Sequence, residues 1–397
     1  MSYPMVKLGD VLSIIRGITF KPNDQVEPLS EGSTIVMRTK NVQRSGLDIS
    51  DLIAIPNSFI KRDEQYLRTD DMLISSANSW DLVGKISYIE KLPANSTAGG
   101  FISIIRAKKE KVIPKYLYYW LTLEHTQAKI RNCGQKTTNI SNLNLERFKE
   151  LLIPLPCLNV QLHISTLLDK AANICQKREQ AIKLADDFLR STFMKMFGTP
   201  VHNIHHFPKG TIRDLVDSVN YGTSAKASVG SGRYPVLRMG NITYQGRWDF
   251  TDLKYLDLSE KDEGKFLVQE GDLLFNRTNS KELVGKTAVY DENRPMAFAG
   301  YLIRVRSNSN GNNYYLSGLL NSTYGKTTLS NMCKSIVGMA NINAQELQDI
   351  EILIPPKHLQ DEYEMIYKKV NMELAITDRS AKQLQLLAAN LANKYFL

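Results

Sequence analysis

Val36-Met37-Arg38-Thr39-Lys40-Asn41-Val42 returns two hundred residues later as Val236-Leu237-Arg238-Met239-Gly240-Asn241-Ile242. The match is not isolated. Asp71-Met72-Leu73-Ile74 is followed by Asp272-Leu273-Leu274-Phe275, and Leu82-Val83-Gly84-Lys85 by Leu283-Val284-Gly285-Lys286. Gly100-Phe101 and Arg106 pair with Gly300-Tyr301 and Arg306. Asn139-Ile140-Ser141 pairs with Asn341-Ile342-Asn343, and Leu152-Ile153-Pro154 with Leu353-Ile354-Pro355. Six matches keep their order while the offset stays between 200 and 202, so the chain is a tandem duplication. A unit this long is a whole domain with its tail, because solenoid modules repeat every ~20–50 residues.

Each unit changes character along its length. Short β-branched runs come first: Thr34-Ile35-Val36-Met37, Leu73-Ile74, Ile86-Ser87-Tyr88-Ile89 and Phe101 to Ile105, separated by Asn, Gly, Ser and Pro. One helical stretch follows, from Pro114 to about Lys129 and from Tyr314 to about Leu329. Beyond Ile153-Pro154-Leu155-Pro156 the period becomes purely helical, with Ile164, Leu167, Leu168, Ala171, Ile174, Cys175, Ile182, Ala185, Phe188 and Leu189 as the apolar stripe. Gly198 and Pro200 end it. After Pro355-Pro356 a second stripe runs through Ile366, Val370, Ile376, Leu384, Leu387, Leu391 and Leu397. The expectation is an α+β fold: a strand-rich domain over 1–156, a long helix over 157–198, a second domain over 199–356 and a second helix over 357–397. Helices of about 35–40 residues reach about 55–60 Å, too far to cover with one small domain. Pairing with each other as an antiparallel coiled coil accounts for both stripes. Folding back of each helix on its own domain is the alternative.

The chain has 397 residues, a net charge of +9 and a pI near 9.1. A basic excess suits a polyanionic partner without identifying one. It is uneven: +5 over 1–156 and only +1 over 199–356. Cys133, Cys157, Cys175 and Cys333 show no CxxC spacing, which argues against zinc and for buried reduced thiols in the cytoplasm. The first residues carry no apolar signal core, and no run approaches the ~20 apolar residues of a membrane span. No phosphate loop, GxGxxG, GxSxG or HExxH occurs, nor the Asn-Pro-Pro-Tyr type of motif that holds a flipped adenine. His205-His206 reads as a surface loop pair beside Phe207-Pro208.

The junction and the repeat together resemble the specificity subunits of type I restriction–modification enzymes, over essentially the whole chain. In that family Ile-Pro-x-Pro is followed by Leu-x-Glu-Gln at the opening of a long helix. Here the first copy runs from Ile153-Pro154-Leu155-Pro156 through Leu158-Asn159-Val160-Gln161, and the second from Ile354-Pro355-Pro356 through Leu359-Gln360-Asp361-Glu362. Val160 and Asp361-Glu362 depart from the pattern at the helix start. Phe197-Gly198 also looks like the family, as does Lys7-Leu8-Gly9-Asp10-Val11, echoed by Ile212-Arg213-Asp214-Leu215. The resemblance implies a DNA-binding subunit without a catalytic centre, no metal and no cofactor of its own. It implies two target-recognition domains, each reading one half of a split double-stranded DNA target, and helices that set the gap. It implies as partners two modification subunits, with S-adenosylmethionine, which methylate adenine. Two restriction subunits using ATP and Mg can join them.

Three loop sets carry the residues suited to DNA. Arg38, Lys40, Asn41 and Arg44 in the first domain correspond to Arg238, Asn241, Gln245 and Arg247 in the second. Arg grips guanine with two bonds, and Asn or Gln does so for adenine. Asn78 and Trp80 correspond to Arg277, Asn279 and Lys281. Lys136 and Thr137, next to Asn139, correspond to Lys334, while Thr223 and Lys226 are candidates for phosphate. Arg38/Arg238 and Asn41/Asn241 are shared by domains expected to read different bases, so they suit phosphate or the fold itself. Arg44, Trp80, Arg247 and Arg277 are better placed to read bases. Two other classes compete: a coiled-coil protein-interaction scaffold without specific DNA binding, and a nuclease or methyltransferase acting alone.

Overall fold

The computed structural model describes residues 3–44, 46–136, 140–336 and 339–396, and the side chains at 334–336, 339, 378, 379, 381, 382 and 385 are outside that description. It divides into two units, residues 1–177 with 380–397, and residues 178–379.

The first unit is built on a four-stranded antiparallel sheet in the order Leu12–Arg16, Ile102–Ala107, Met72–Ser75, Ile86–Tyr88. In its two middle strands every residue but Arg106 is buried, because both faces are covered. Met72, Ile74 and Ile105 face the core formed with Tyr116, Leu117, Trp120 and Leu121. Leu73, Ile102 and Ile104 point the other way, to Ile35, Met37, Val42 and Ala98. Ile35 and Met37 come from a second sheet, Ser96–Ala98, Ser33–Met37 and Ile53–Pro56. The strand Met5–Lys7 pairs with Leu152–Pro154 and closes the domain.

The second unit repeats this plan. Val216–Tyr221, Leu302–Ser307, Leu273–Asn276 and Thr287–Val289 form its four-stranded sheet. Leu273, Phe275, Ile303 and Val305 pack on Tyr315, Leu316 and Leu319. Leu274 and Leu302 face Leu237, Ile242 and Phe298. Lys209–Thr211 pairs with Glu351–Leu353. The single helix expected after the strands is broken in both units. Pro114–Thr122 gives way to Glu124–Asn132 at Leu123, and Asn313–Asn321 to Thr323–Met332 at Ser322. Leu123 and Ser322 are extended, at ψ 142° and 163°.

The long helices are Leu158–Phe197 and Lys357–Phe396, 40 residues each. In the first unit the start of one and the end of the other share a core, with Ile164 and Leu168 beside Ala392 and Phe396. The Phe396 ring lies 5.0 Å from that of Tyr116. In the second unit Phe193 lies 5.2 Å from Tyr363 and 5.6 Å from Tyr315. The helices therefore run antiparallel where they meet, and each unit also packs its own domain on them. The stripe read from the sequence is only partly buried: Ile174, Phe188, Ile376 and Leu387 are exposed, and Leu397 is outside the described residues. Phe193, Phe197 and Tyr363 take the buried aromatic positions that the aliphatic pattern did not mark.

The C-terminal part of the repeat differs in register from the sequence reading. Leu152–Pro154 occupies the place of Glu351–Leu353, an offset of 199 and not 201. Asn144 caps Leu145–Lys149 as Asn343 caps Ala344–Gln348, again at 199, so the match of Asn139-Ile140-Ser141 to Asn341-Ile342-Asn343 is out of step. Gln161 then aligns with Gln360. Gln161 Nε2 donates to the Pro156 carbonyl and Gln360 Nε2 to the Pro355 carbonyl, both at 2.8 Å, and both side chains are fully buried. The departure at Asp361-Glu362 was a slip of two residues. Of the cysteines, all free, only Cys133 is fully buried and Cys157 is exposed, against the expectation of four buried thiols.

Candidate nucleic-acid interface

The shared positions lock a turn. Asn41 is 1% exposed; its Oδ1 accepts the Arg38 N–H at 2.8 Å, and its Nδ2 donates to the carbonyls of Asp48 and Asp51 at 2.8 and 3.0 Å. Asn241 repeats this with the Arg238 N–H at 2.9 Å and the carbonyls of Asp249 and Asp252 at 2.9 and 3.0 Å. Arg38 pairs with Asp51 at 2.9 Å and Arg238 with Asp252 at 2.8 Å. Lys40 also pairs with Asp51. Both asparagines are buried, with both amide hydrogens and one acceptor position of each engaged inside the fold, so they hold this turn in place. The Leu-Val-Gly-Lys repeat is equally architectural. Gly84 and Gly285 have φ +80° and +79°, and a Cβ there would meet Ile130 or Leu329 at 2.7 and 2.5 Å. Lys85 and Lys286 lie almost buried behind them, donating to Gln43 Oε1 and the Ile242 carbonyl, and burial lowers the pKa of both.

Two candidate loops come together on a small sheet in each unit. In the first, Ala77–Asn78 and Gly134–Gln135 flank Ser141–Leu143. This brings Lys136 over the Trp80 ring at 5.9 Å. Asn78 Nδ2 donates to Ser75 Oγ at 3.1 Å. Thr137 and Asn139 are outside the described residues. In the second unit Thr278–Asn279 and Lys334–Ile336 flank Met339–Asn341. The Arg277 guanidinium lies 4.8 Å from the centroid of the Tyr221 ring, and the Tyr221 hydroxyl accepts the Ala344 N–H at 2.9 Å. Lys281 is exposed beside Asn279, whose Oδ1 accepts the Ser280 N–H at 2.9 Å. The Lys334 side chain is outside the described residues.

Sequence reasoning missed Tyr221 and the pair Phe101 and Tyr301. Phe101 is 59% and Tyr301 54% exposed. The Phe101 carbonyl accepts the Ser76 N–H at 2.9 Å, and the Tyr301 carbonyl accepts the Arg277 N–H at 3.1 Å. They sit beside the same loops, and the repeated Gly-aromatic pair was the signal that marked them.

Other candidates fall elsewhere. Arg247 pairs with Asp186 of the first long helix, and the Gly246 carbonyl accepts the Tyr367 hydroxyl at 3.3 Å. That loop is stapled to the helices, with the Arg247 guanidinium held on Asp186; Gln245 next to it is exposed, as is Arg44. Thr223 is 7% exposed, and its Oγ1 accepts the Ala225 N–H at 3.0 Å. Lys226 is exposed on the following loop.

The model of the type I restriction modification DNA specificity domain matches this chain twice, over residues 2–184 and 207–385. The chain belongs to that family. The specificity subunit of the type I restriction enzyme EcoKI from Escherichia coli (strain K12) is 24% identical over 97% of this chain and 85% of its own length. The StySPI specificity subunit from Salmonella potsdam is 25% identical over 95% of this chain and 83% of its own. The crystal structure of the type I restriction–modification S subunit from M. genitalium superposes with a TM-score of 0.67 at 14% identity, covering 100% of this chain and 96% of that one. That likeness is one of fold. As a type I specificity protein the chain has a duplicated architecture in which the residues shared between copies, Arg38/Arg238 and Asn41/Asn241, hold the same turn in each domain. Among the described residues no group of His, Cys, Asp and Glu is arranged to hold a metal, and no helix is long and apolar enough to cross a membrane.

Proposed function

We propose that this chain is the DNA-recognition subunit of a type I restriction–modification complex and that it reads an asymmetric, interrupted duplex target. Residues 1–156 take one half and 199–356 the other, with the helices over 157–198 and 357–397 as the spacer. The readers are drawn from Asn78, Trp80 and Lys136 in the first domain and from Arg277, Asn279, Lys281 and Lys334 in the second. Arg44, Gln245 and Lys226 add contacts from neighbouring loops, and Arg38, Lys40 and Arg238 serve the backbone. The chain itself is non-catalytic: two modification subunits bring S-adenosylmethionine, restriction subunits bring ATP and Mg where present, and the assembly works in the cytoplasm.

The observation that carries this reading is the contrast between the copies. Arg38/Arg238, Asn41/Asn241 and Lys85/Lys286 are the same residue doing the same structural work. The small sheet beside them carries half-buried Trp80 with Lys136 in one copy and half-buried Arg277 on Tyr221 in the other. Domains of one fold with different readers select different half-sites, unlike a symmetric dimer on a palindrome. The test is co-expression with the modification subunit and mapping of adenine methylation across genomic DNA. Methylation at one interrupted asymmetric motif, altered in one half only by exchanging one domain, is the expected result. A complex that assembles and methylates without sequence restriction would overturn the reading and favour a protein scaffold.

A further inference from the structure

The second unit contains a cavity of about 190 Å³ where its domain meets the long helices, lined by Arg190, Phe193, Tyr244, Asn321, Lys326 and Tyr363 among others. A single water takes a share of roughly 30 Å³ of the liquid, so the space suits something larger. The Lys326 ammonium is shielded from solvent and has no hydrogen-bond partner among the described residues. It lies 4.6 Å from the centroid of the Tyr244 ring. Lys286 and Arg190 add positive charge around it, and the one carboxylate lining the cavity, Asp186, is taken by Arg247. A buried ammonium with three unused protons is costly unless an acceptor or an opposite charge meets it.

The first unit shows how the fold otherwise fills this position. Gln127 stands where Lys326 does, four residues into the helix that follows the break. Its Nε2 donates to the carbonyls of Gly84 and Leu121 at 3.2 and 2.7 Å. A neutral amide satisfies the site with two internal bonds. The second copy has a cation there, with none among the described residues.

We propose that this cavity binds inorganic phosphate or a small phosphomonoester. Lys326 and Arg190 supply the positive charge. Asn321 supplies selectivity: its Nδ2 is engaged with the Thr287 carbonyl at 2.8 Å, while its buried Oδ1 has no donor among the described residues. A phosphate that keeps one P–OH offers that donor; sulfate and the phosphodiester of a DNA backbone do not. Bound there, the ion ties the second recognition domain to both helices. This inference does not depend on what the domain reads.

The test uses the full chain and inorganic phosphate as probe. Melting curves in phosphate, sulfate and chloride at matched ionic strength give the selectivity, since a ligand of the folded state alone raises Tm with its concentration. Saturable stabilisation by phosphate, at least tenfold stronger than by sulfate, is expected. It should be lost in Lys326→Gln, which copies the first domain, and weakened at least threefold in Arg190→Gln. Equal responses to phosphate and sulfate would overturn the assignment, and so would a phosphate response that persists in Lys326→Gln. Abolition of the phosphate response by short duplex DNA would give the site to the DNA backbone and also overturn it.

Discussion

Arg106 and Asp71 form a two-pronged ion pair across the central sheet, Nε to Oδ1 at 2.8 Å and Nη2 to Oδ2 at 2.6 Å. The Asp71 side chain is 3% exposed, and hydrogen bonding to it raises the Arg106 pKa further. Arg306 and Asp272 repeat the fork at 2.7 and 3.0 Å, but there Arg304 also stands 3.9 Å from the carboxylate. Removing one partner of a buried pair strands the other charge, at about 3–5 kcal/mol. Arg106→Ala should therefore lose about that much from the first unit. Arg306→Ala should lose less, because Arg304 remains to neutralise Asp272. Urea unfolding of both variants checks the order, and equal losses would refute the part given to Arg304.

Asn241→Ala and Arg277→Ala should separate architecture from recognition. Asn241 makes three hydrogen bonds that hold one turn, so its loss leaves buried groups unpaired at about 1–3 kcal/mol. Melting temperature should fall, with the methylated motif unchanged at temperatures where the protein is folded. Among the described residues the Arg277 guanidinium gives up only its stacking on Tyr221. Arg277→Ala should melt close to the parent while relaxing one base of the second half-site, where a good bidentate contact is worth about 1–3 kcal/mol. If Arg277 holds phosphate instead, the variant weakens all sequences alike and lowers the salt slope by about one unit. Methylation mapping and salt-dependent binding distinguish the two.

The duplication, the strand-rich domains and the antiparallel long helices were legible in the sequence because each leaves a periodic trace. The repeat motifs proved to be fold-holding residues, which is why they survived in both copies. For the same reason they could not reveal the readers. Arg247 looked free because its partner, Asp186, lies 61 residues away on a helix. The break at Leu123 left no trace because leucine favours a helix, whereas Ser322 caps the helix that follows it, accepting the Gly325 N–H at 3.1 Å, and was a boundary signal the sequence did carry. The C-terminal register slipped because Ile-Pro recurs at both 153–154 and 354–355, and composition matched where hydrogen bonding does not.

Gln161 and Gln360 supply a test of that corrected register. Gln161 also accepts the Ile113 N–H at 2.8 Å and donates to the Lys111 carbonyl at 3.2 Å. Gln360 donates to the Asn310 carbonyl at 3.0 Å, but its Oε1 is buried without a donor among the described residues. Replacing either with Ala should destabilise its unit by about 1–3 kcal/mol, with Gln161→Ala the more costly because it loses an accepted bond as well. Glu362→Ala, the position first aligned with Gln161, should change stability little, since it is exposed. Thermal melts of the three variants decide between the registers.

Lys326 makes stability depend on pH in an unusual direction. Burial, with help from Lys286 and Arg190, pushes its pKa down from 10.5 to about 8. Below pH 8 the group is protonated in both folded and unfolded chains, and the folded chain bears the full cost of the buried charge, on the order of 3 kcal/mol. Between about pH 8 and 10.5 the unfolded chain holds a proton that the folded chain has released. Stability then rises with pH from this group, by up to about 1.4 kcal/mol per unit. In Lys326→Gln the rise should vanish, and the variant should be more stable than the parent near pH 7 without phosphate. Phosphate should flatten that rise by favouring the protonated amine, so its stabilisation is greatest below pH 8 and fades above it. Melting curves from pH 6.5 to 10, with and without phosphate, measure both effects as a difference between parent and variant, which cancels the titration of every other group. A parent and variant that track each other across that range would show that the Lys326 amine reaches solvent in both states.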